Sequence, residues 1–447
     1  MLKRIFSVFL TVLLVFSLFS ATLIANAYTP SGVEITAKAG LLVSLDTGEF
    51  LYENNIDTKV YPASIAKIMT AVLMLESEKY NPEGKIAMTK EILDMVLGTG
   101  LAVSLLKEGD EFTQLDLVYM VLMSSFGDST YLAAQYYGGT IENFVNMMNA
   151  KAAELGLSGT HYSNPVGLHE EETYTTVRDI YTLAKYALQN ETFKTVSETP
   201  RHTITTSLSG QRTLSTTNFL QDTTTNYYYQ YAKGVKTGFT EAAGRCLVST
   251  ASYNGYKYMC VLMGCPDSKT KRHEFVESSS LYRWAFNNFS FKEIATSTEP
   301  VCEIPVELSL ETDFVPLYFK EPFISILPNV ADESTIVIKP KLNSETAKAP
   351  IKKGDVLGKA DVIYAEKVIG TVDLIAGNDV KSSTLLIIVD FVKGIFTSVY
   401  MKVLYGLAIV AVIVFIGLCI KLNLTRFKKR RARYIPYKEK EKRHHDK

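Results

Sequence analysis

Cysteine is scarce in this chain of 447 residues. Five occur, at 246, 260, 265, 302 and 419, with no C-x-x-C pair and no dense even spacing. That excludes a disulfide-stapled scaffold and gives no support to a zinc ribbon or a thioredoxin-type redox site. The cysteines read as buried free thiols, with a disulfide between two of them left open. Net charge is also lacking: Lys and Arg number 47, as do Asp and Glu. The chain as a whole is therefore not a basic nucleic-acid binder. Internal repeats and low-complexity stretches are absent. With 47% hydrophobic and 21% charged residues, the composition is globular rather than disordered or collagen-like. The length implies two or three folded units.

The zero average hides two unusual ends. Lys3 and Arg4 precede an uncharged run, Ile5 to Ala27, that closes on Ala25-Asn26-Ala27. A basic start, an apolar middle and a small-x-small end make a secretory signal over 1–27, cleaved after Ala27; an uncleaved anchor is the competing reading. Near the other end, residues 403–420 carry no charge, just enough to span a bilayer as one transmembrane helix. Residues 421–447 follow with 12 Lys/Arg against 3 Asp/Glu. A basic flank stays on the cytoplasmic side, so the expectation is a single-pass cell-membrane protein with its catalytic part outside and its C-terminus inside. Residues 28–420 then hold 33 Lys/Arg and 44 Asp/Glu, a net charge of −11. No nucleic-acid partner is expected.

Between the ends the pattern changes once. Residues 40–52 read as a hairpin turning at Asp46-Thr47-Gly48, and 62–79 as a helix with Pro62 in its first turn. Thr113 to Met123 is a nearly unbroken apolar helix opening on a Thr113/Asp116 capping box. Further helices are expected at 129–137, 141–155 and 176–188. Strands return over 234–264 with Asn254-Gly255 as the turn, followed by the helix HEFVESSSLYRWAFNNF. This order predicts an α/β unit with helices packed on an antiparallel sheet, 28–296. Short alternating runs then predict a small all-β domain, 297–390, and a juxtamembrane linker, 391–402.

Three groups of residues in the first unit carry chemistry. Ser64-Ile-Ala-Lys67 places a hydroxyl and an amine on one helical face, at a helix start that supplies free N–H groups. Its apolar neighbours would depress the lysine pKa and let it act as a base. The spacing alone is weak, since Ser104/Lys107 and Ser268/Lys271 repeat it. Lys236-Thr237-Gly238 lies on a strand, where the glycine lets a ligand backbone approach and the lysine with its neighbouring hydroxyl suits a carboxylate. Ser125-Phe126-Gly127-Asp128 lies between two helices and reads locally as a capping box of Ser125 with Asp128.

In this order the groups resemble the S-x-x-K, S-x-N and K-T-G set of penicillin-binding proteins and serine β-lactamases. The flanks YPASIAKIMTA, SNPVGL, YTTVRD, KGVKTGFTEAAGRCLV and LYRWAFNNF are similar to the low-molecular-mass penicillin-binding proteins that are D-alanyl-D-alanine carboxypeptidases. The later IKKGDVLGKADV and GTVDLIA resemble that family's β-rich domain. The resemblance implies that Ser64 attacks the penultimate D-alanine carbonyl of a peptidoglycan stem peptide. Lys67 then takes the serine proton, and Ser125 relays a proton to the departing D-alanine. Lys236 and Thr237, on the strand shared with Gly238 and Phe239, hold the terminal carboxylate, and the backbone N–H groups of Ser64 and Phe239 form the oxyanion hole. β-Lactams would trap the same serine, and neither a metal nor an organic cofactor is expected.

The family's middle motif has asparagine where this chain has Gly127, so acylation is expected to survive but to be slower or altered in peptide choice. Arg272, near a family arginine, reads either as an aid to holding the carboxylate or as a solvated helix charge, the second being preferred. A β-lactamase is disfavoured by the flanks and the β-rich domain. Alternatives are a D,D-endopeptidase or transpeptidase on cross-linked wall and a weakly active wall-binding scaffold. The β-rich domain reads as a stalk lifting the active site toward the wall.

Overall fold

The computed structural model describes residues 30–433. The expected signal at 1–27 and residues 434–447 of the basic tail lie outside the described residues. The described chain divides into two units.

The first unit is built on a five-stranded antiparallel sheet. Strands β1 (Ala39–Ser44) and β2 (Phe50–Asn54) form the expected first hairpin. Strands β3 (Ala232–Thr240), β4 (Gly244–Tyr253) and β5 (Tyr256–Cys265) come late in the sequence. The spatial order is β2-β1-β5-β4-β3, which makes β3 an edge strand. The β4–β5 turn falls at Asn254 and Gly255, with φ of +50° and +86°, the left-handed pair that a two-residue hairpin needs.

Both faces of the sheet are covered. Consecutive strand residues point to opposite sides; Leu41 joins a core with the helices of residues 67–196, and Leu42 joins a second core with Phe275, Leu281 and Tyr282. That is why Leu41-Leu42-Val43 shows no polar alternation.

Between β2 and β3 the chain is mostly helical. A 3-10 turn, Ala63–Ala66, leads into α1 (Lys67–Glu76). The expected helix from 62 to 79 is therefore shorter, and Ser64 sits in the tight turn before α1 rather than within it. All residues of α1 from Lys67 to Met74 are buried. Helix α2 (Gln114–Leu122) opens on the expected box: Asp116 N donates to Thr113 Oγ1 at 3.0 Å and Thr113 N to Asp116 Oδ2 at 3.3 Å. Helices α3 (Gly127–Gly138), α4 (Ile141–Glu154) and α5 (Val177–Ala187) follow near the expected positions. Helix α6 (His273–Asn288) covers the other face of the sheet. A hairpin, Arg201–Thr206 with Gly210–Ser215, had no sequence signal because its residues are mostly Thr, Ser and Arg.

The second unit holds a six-stranded sheet whose core is Ile304, Val315, Leu317, Phe319, Val362 and Leu374. This is the expected all-β domain. Two segments within 297–390, Ile324–Ile336 and Tyr364–Ile369, belong instead with the first unit; Ile326 is buried in the same core as Phe289. The expected linker is mostly helical. Thr384–Thr397 forms one helix with no buried residue, and Val399–Arg433 forms another. Within the latter, Val399–Lys428 is long and apolar enough to cross a membrane, and none of its apolar stretch is buried inside the protein.

Candidate active site

The turn before α1 brings Ser64 and Lys67 together. Lys67 Nζ lies 2.9 Å from Ser64 Oγ and 3.3 Å from Ser125 Oγ. One amine thus bridges two hydroxyls that are 61 positions apart in sequence. Lys67 is fully buried while Ser64 and Ser125 are half-buried, so the hydroxyls face the opening and the amine lies beneath them. Burial pushes the Lys67 pKa down to about 7, and the Asp128 carboxylate partly opposes the fall. A serine held by an amine that readily gives up its charge is the donor–acceptor pair of nucleophilic catalysis. The other two Ser-x-x-Lys spacings form no such pair: Ser104 bonds to Asp128, and Ser268 to Thr270.

The backbone at this point is strained. Ala63, directly before Ser64, has φ +48°, and Ser125 has φ +62°. An L residue in this region costs about 1–2 kcal/mol, and such outliers persist only where their surroundings enforce them. For Ala63 the enforcing element is the Asn164–Leu168 loop. Asn164 Oδ1 accepts from Gly167 N and Leu168 N, and Thr70 on α1 donates to Pro165 O. Gly167, at φ +80°, packs so tightly that a Cβ there would stand 1.8 Å from Ala63 O. The SNPVGL segment thus has a structural task that its sequence alone did not show.

Ser125 does not cap α3. The N-cap is Phe126 and makes no side-chain cap bond; the Ser125 hydroxyl meets Lys67 instead. Asp128 turns inward, where Oδ2 accepts from Ser104 N at 2.8 Å and Ser104 Oγ at 2.6 Å, and Oδ1 accepts from Ser129 N at 2.6 Å. The expected Ser125/Asp128 capping box is therefore corrected. A buried carboxylate needs several donors, and the loop at Ser104 supplies two of them.

That loop also accounts for Gly127. Gly127 N donates to Ala102 O at 2.7 Å, and a Cβ on Gly127 would lie 2.7 Å from Leu101 Cδ1 and 2.8 Å from Leu101 Cβ. Leu101 fills the space that a side chain at 127 would enter. An asparagine there would have to displace Leu101, which changes the expectation attached to this departure.

Strand β3 lies along the opposite side of Ser64. Gly238 approaches so closely that a Cβ would be 3.0 Å from Ser64 N and 3.2 Å from Ile65 N. The glycine is needed for the protein's own backbone, not only for a ligand's. Lys236 is buried, and its Nζ donates to Thr237 O at 3.1 Å. Burial and the neighbouring Lys67 charge hold its pKa well below the ordinary lysine value. An arriving anion reverses that penalty. Thr237 Oγ1 donates to Thr217 Oγ1 at 2.6 Å, a partner that no sequence signal marked. Phe239 is exposed, with the Arg245 guanidinium over its ring at 4.1 Å. Arg272 is not a free surface charge: it pairs with Glu274 and stacks on Phe219 and Phe275. All five cysteines are free thiols.

Comparison with known proteins agrees with this geometry. The family model described as D-alanyl-D-alanine carboxypeptidase matches residues 25–267, and that of the penicillin-binding protein 5 C-terminal domain matches 296–382. The D-alanyl-D-alanine carboxypeptidase DacF of Bacillus subtilis is 28% identical over 363 residues, covering 81% of this chain and 90% of that protein. DacA of Haemophilus influenzae is 29% identical, covering 89% and 100%. The crystal structure of penicillin binding protein 5 from Haemophilus influenzae superposes with a TM-score of 0.62 at 25% identity, over 78% of this chain and 98% of that one. With its first unit matched across the sheet, the strained serine turn and the lysine-bearing edge strand, the chain belongs to the D-alanyl-D-alanine carboxypeptidase family.

Proposed function

We propose that this protein is a serine D,D-carboxypeptidase that removes the terminal D-alanine from peptidoglycan stem peptides and is acylated by β-lactams at the same serine. The observation that carries the reading is the position of Lys67 Nζ, buried and within reach of both Ser64 Oγ and Ser125 Oγ. Ser64 attacks the carbonyl of the penultimate D-alanine while neutral Lys67 accepts the hydroxyl proton. Ser125, bonded to Lys67, passes a proton to the nitrogen of the departing D-alanine. The C–N bond breaks, leaving an ester on Ser64, and water then hydrolyses that ester. Lys236 and Thr237 receive the terminal carboxylate, with Thr217 holding the Thr237 hydroxyl. The backbone N–H groups of Ser64 and Phe239 stabilise the oxyanion; removing one such donor typically costs about 3–4 kcal/mol in acyl transfer.

The C-terminal apolar helix anchors the protein in the cell membrane. The basic residues after 420 remain cytoplasmic, and the catalytic unit lies outside. The β-rich unit serves as the spacer in the chain between catalytic unit and anchor.

The test is D-alanine release from a diacyl-Lys-D-Ala-D-Ala tripeptide by the detergent-solubilised full chain, beside Ser64→Ala. The expected result is release by the parent and none by the variant, with labelled penicillin attaching only to the parent. Penicillin labelling without peptide turnover would reject the carboxypeptidase reading in favour of an enzyme confined to cross-linked wall. Absence of both would leave a scaffold.

A further inference from the structure

The Ser125 hydroxyl meets Lys67 because α3 starts where it does, and α3 does not fix its own start. Its N-cap residue, Phe126, makes no side-chain cap bond. The free N–H groups of a helix start need partners, and here another part of the chain closes the end. Gly127 N donates to Ala102 O at 2.7 Å, and Ser104 N and Oγ hold Asp128 Oδ2 at 2.8 and 2.6 Å. Residues 101–107, which supply these groups, form no helix or strand. Within them Leu105 has φ +57°, although its side chain is 71% exposed. A side chain that packs so little does not enforce a strained backbone. The bonds around it do: Leu106 N donates to Ser104 Oγ at 3.3 Å and Lys107 N to Asp110 Oδ2 at 2.8 Å.

The loop is in turn held from outside, by the hairpin Arg201–Thr206 with Gly210–Ser215. Arg212 Nη1 donates to Ser104 O at 2.9 Å, a charge-assisted bond to the middle of the loop. The same stretch of chain grips the other side of Ser125. Ser124 Oγ donates to Ser215 O at 3.3 Å, and Thr217 N to Met123 O at 3.2 Å. The hairpin itself is pinned twice. At its turn, Asp110 accepts from Leu208 N at 2.8 Å, from Ser209 N at 2.9 Å and from Ser209 Oγ. Near its start, the His202 ring stacks on Tyr119 of α2 at 3.6 Å, with Nε2 3.1 Å from Asp116 Oδ1.

We infer that Arg212 is a positioning residue for the Ser125 proton relay: acting through Ser104 and Asp128, it holds the first turn of α3 so that the Ser125 hydroxyl stays at Lys67. The inference rests on the carboxypeptidase reading above. The proton concerned is the one that Ser125 passes to the departing D-alanine nitrogen as the C–N bond breaks and the Ser64 ester forms. Without the guanidinium, the Ser104 carbonyl loses its anchor, the strained loop relaxes, and the start of α3 shifts with it. A small displacement of a positioned group forfeits much of its effect.

The experiment uses the full chain in detergent and compares kcat/KM for two substrates. One is diacyl-Lys-D-Ala-D-Ala; the other carries D-thiolactate in place of the last D-alanine. The amine must gain a proton to leave, whereas the thiolate leaves without one. R212A is expected to lose about tenfold on the peptide and less than about threefold on the thioester, a part of what a general acid contributes. R212K, which keeps a donor for Ser104 O, should recover most of the peptide rate. S104A should show the same split between substrates. Complete labelling by penicillin at long times, with a thermal melt, shows that each variant is folded. Equal losses on the two substrates, or none on either, overturn the inference and leave the carboxypeptidase intact. A parent that cleaves neither substrate overturns both.

Discussion

Replacing Gly127 by asparagine tests whether Leu101 and Gly127 form a single unit. The Cβ of any residue at 127 would stand 2.7, 2.8 and 3.1 Å from three atoms of Leu101, about 1 Å inside ordinary carbon contact. Leu101 is half-buried against the core, and its neighbours are fixed. Ala102 O accepts from Gly127 N, and Ser104 holds Asp128 by two bonds. The loop cannot retreat without loosening the carboxylate that helps set the Lys67 pKa. Overpacking of this kind costs about 1–3 kcal/mol, or about 2–4 °C in Tm per kcal/mol for a unit of this size. G127N alone is therefore expected to lower Tm and to slow acylation by labelled penicillin. L101A should relieve both effects in the double variant, with a coupling energy of about 1–2 kcal/mol in the cycle. Thermal melts and penicillin acylation rates on the four proteins supply the cycle. A G127N protein with parental Tm and acylation rate, or strictly additive effects with L101A, would refute the argument.

Two further outcomes follow from the site. Because the Lys67 pKa is lowered to about 7, the acylation rate should rise with pH through about 7 and level off by about pH 8, where roughly nine-tenths of the amine is neutral; an unshifted lysine would be under 1% neutral there. The folded state binds fewer protons at Lys67 than the unfolded chain between about pH 7 and the ordinary lysine value. This group therefore makes stability increase with pH across that window, and a flat acylation profile from about pH 6 to 8 would count against Lys67 as the base. Separately, Gly167→Ala should cost at least about 2 kcal/mol, from its positive φ and from its overlap with Ala63 O. Chemical denaturation would show the loss, and penicillin acylation should fall further than for a surface alanine substitution.

Much of the candidate site was legible in one dimension because its parts are local. Ser64 and Lys67 share a helical face through an i, i+3 spacing, Lys236 and Thr237 are neighbours on one strand, and Asn254-Gly255 marks a turn by backbone preference alone. The apolar span and its basic flank are likewise composition read over a short window. What the sequence did not disclose depends on residues far apart in the chain. Ser125 looked like a cap because its near neighbours permit one, and only the packing of α3 against α1 turns its hydroxyl to Lys67. Gly127 looked like a missing side chain until the Leu101 loop, 26 positions earlier, was found in its place. Gly167 and Gly238 are glycines for the same reason, each pressed against the backbone around Ala63 and Ser64. Local propensity and periodicity fix which residues can form an element. Close approach between elements is decided by how the whole core closes, and there a single absent Cβ determines what the site can hold.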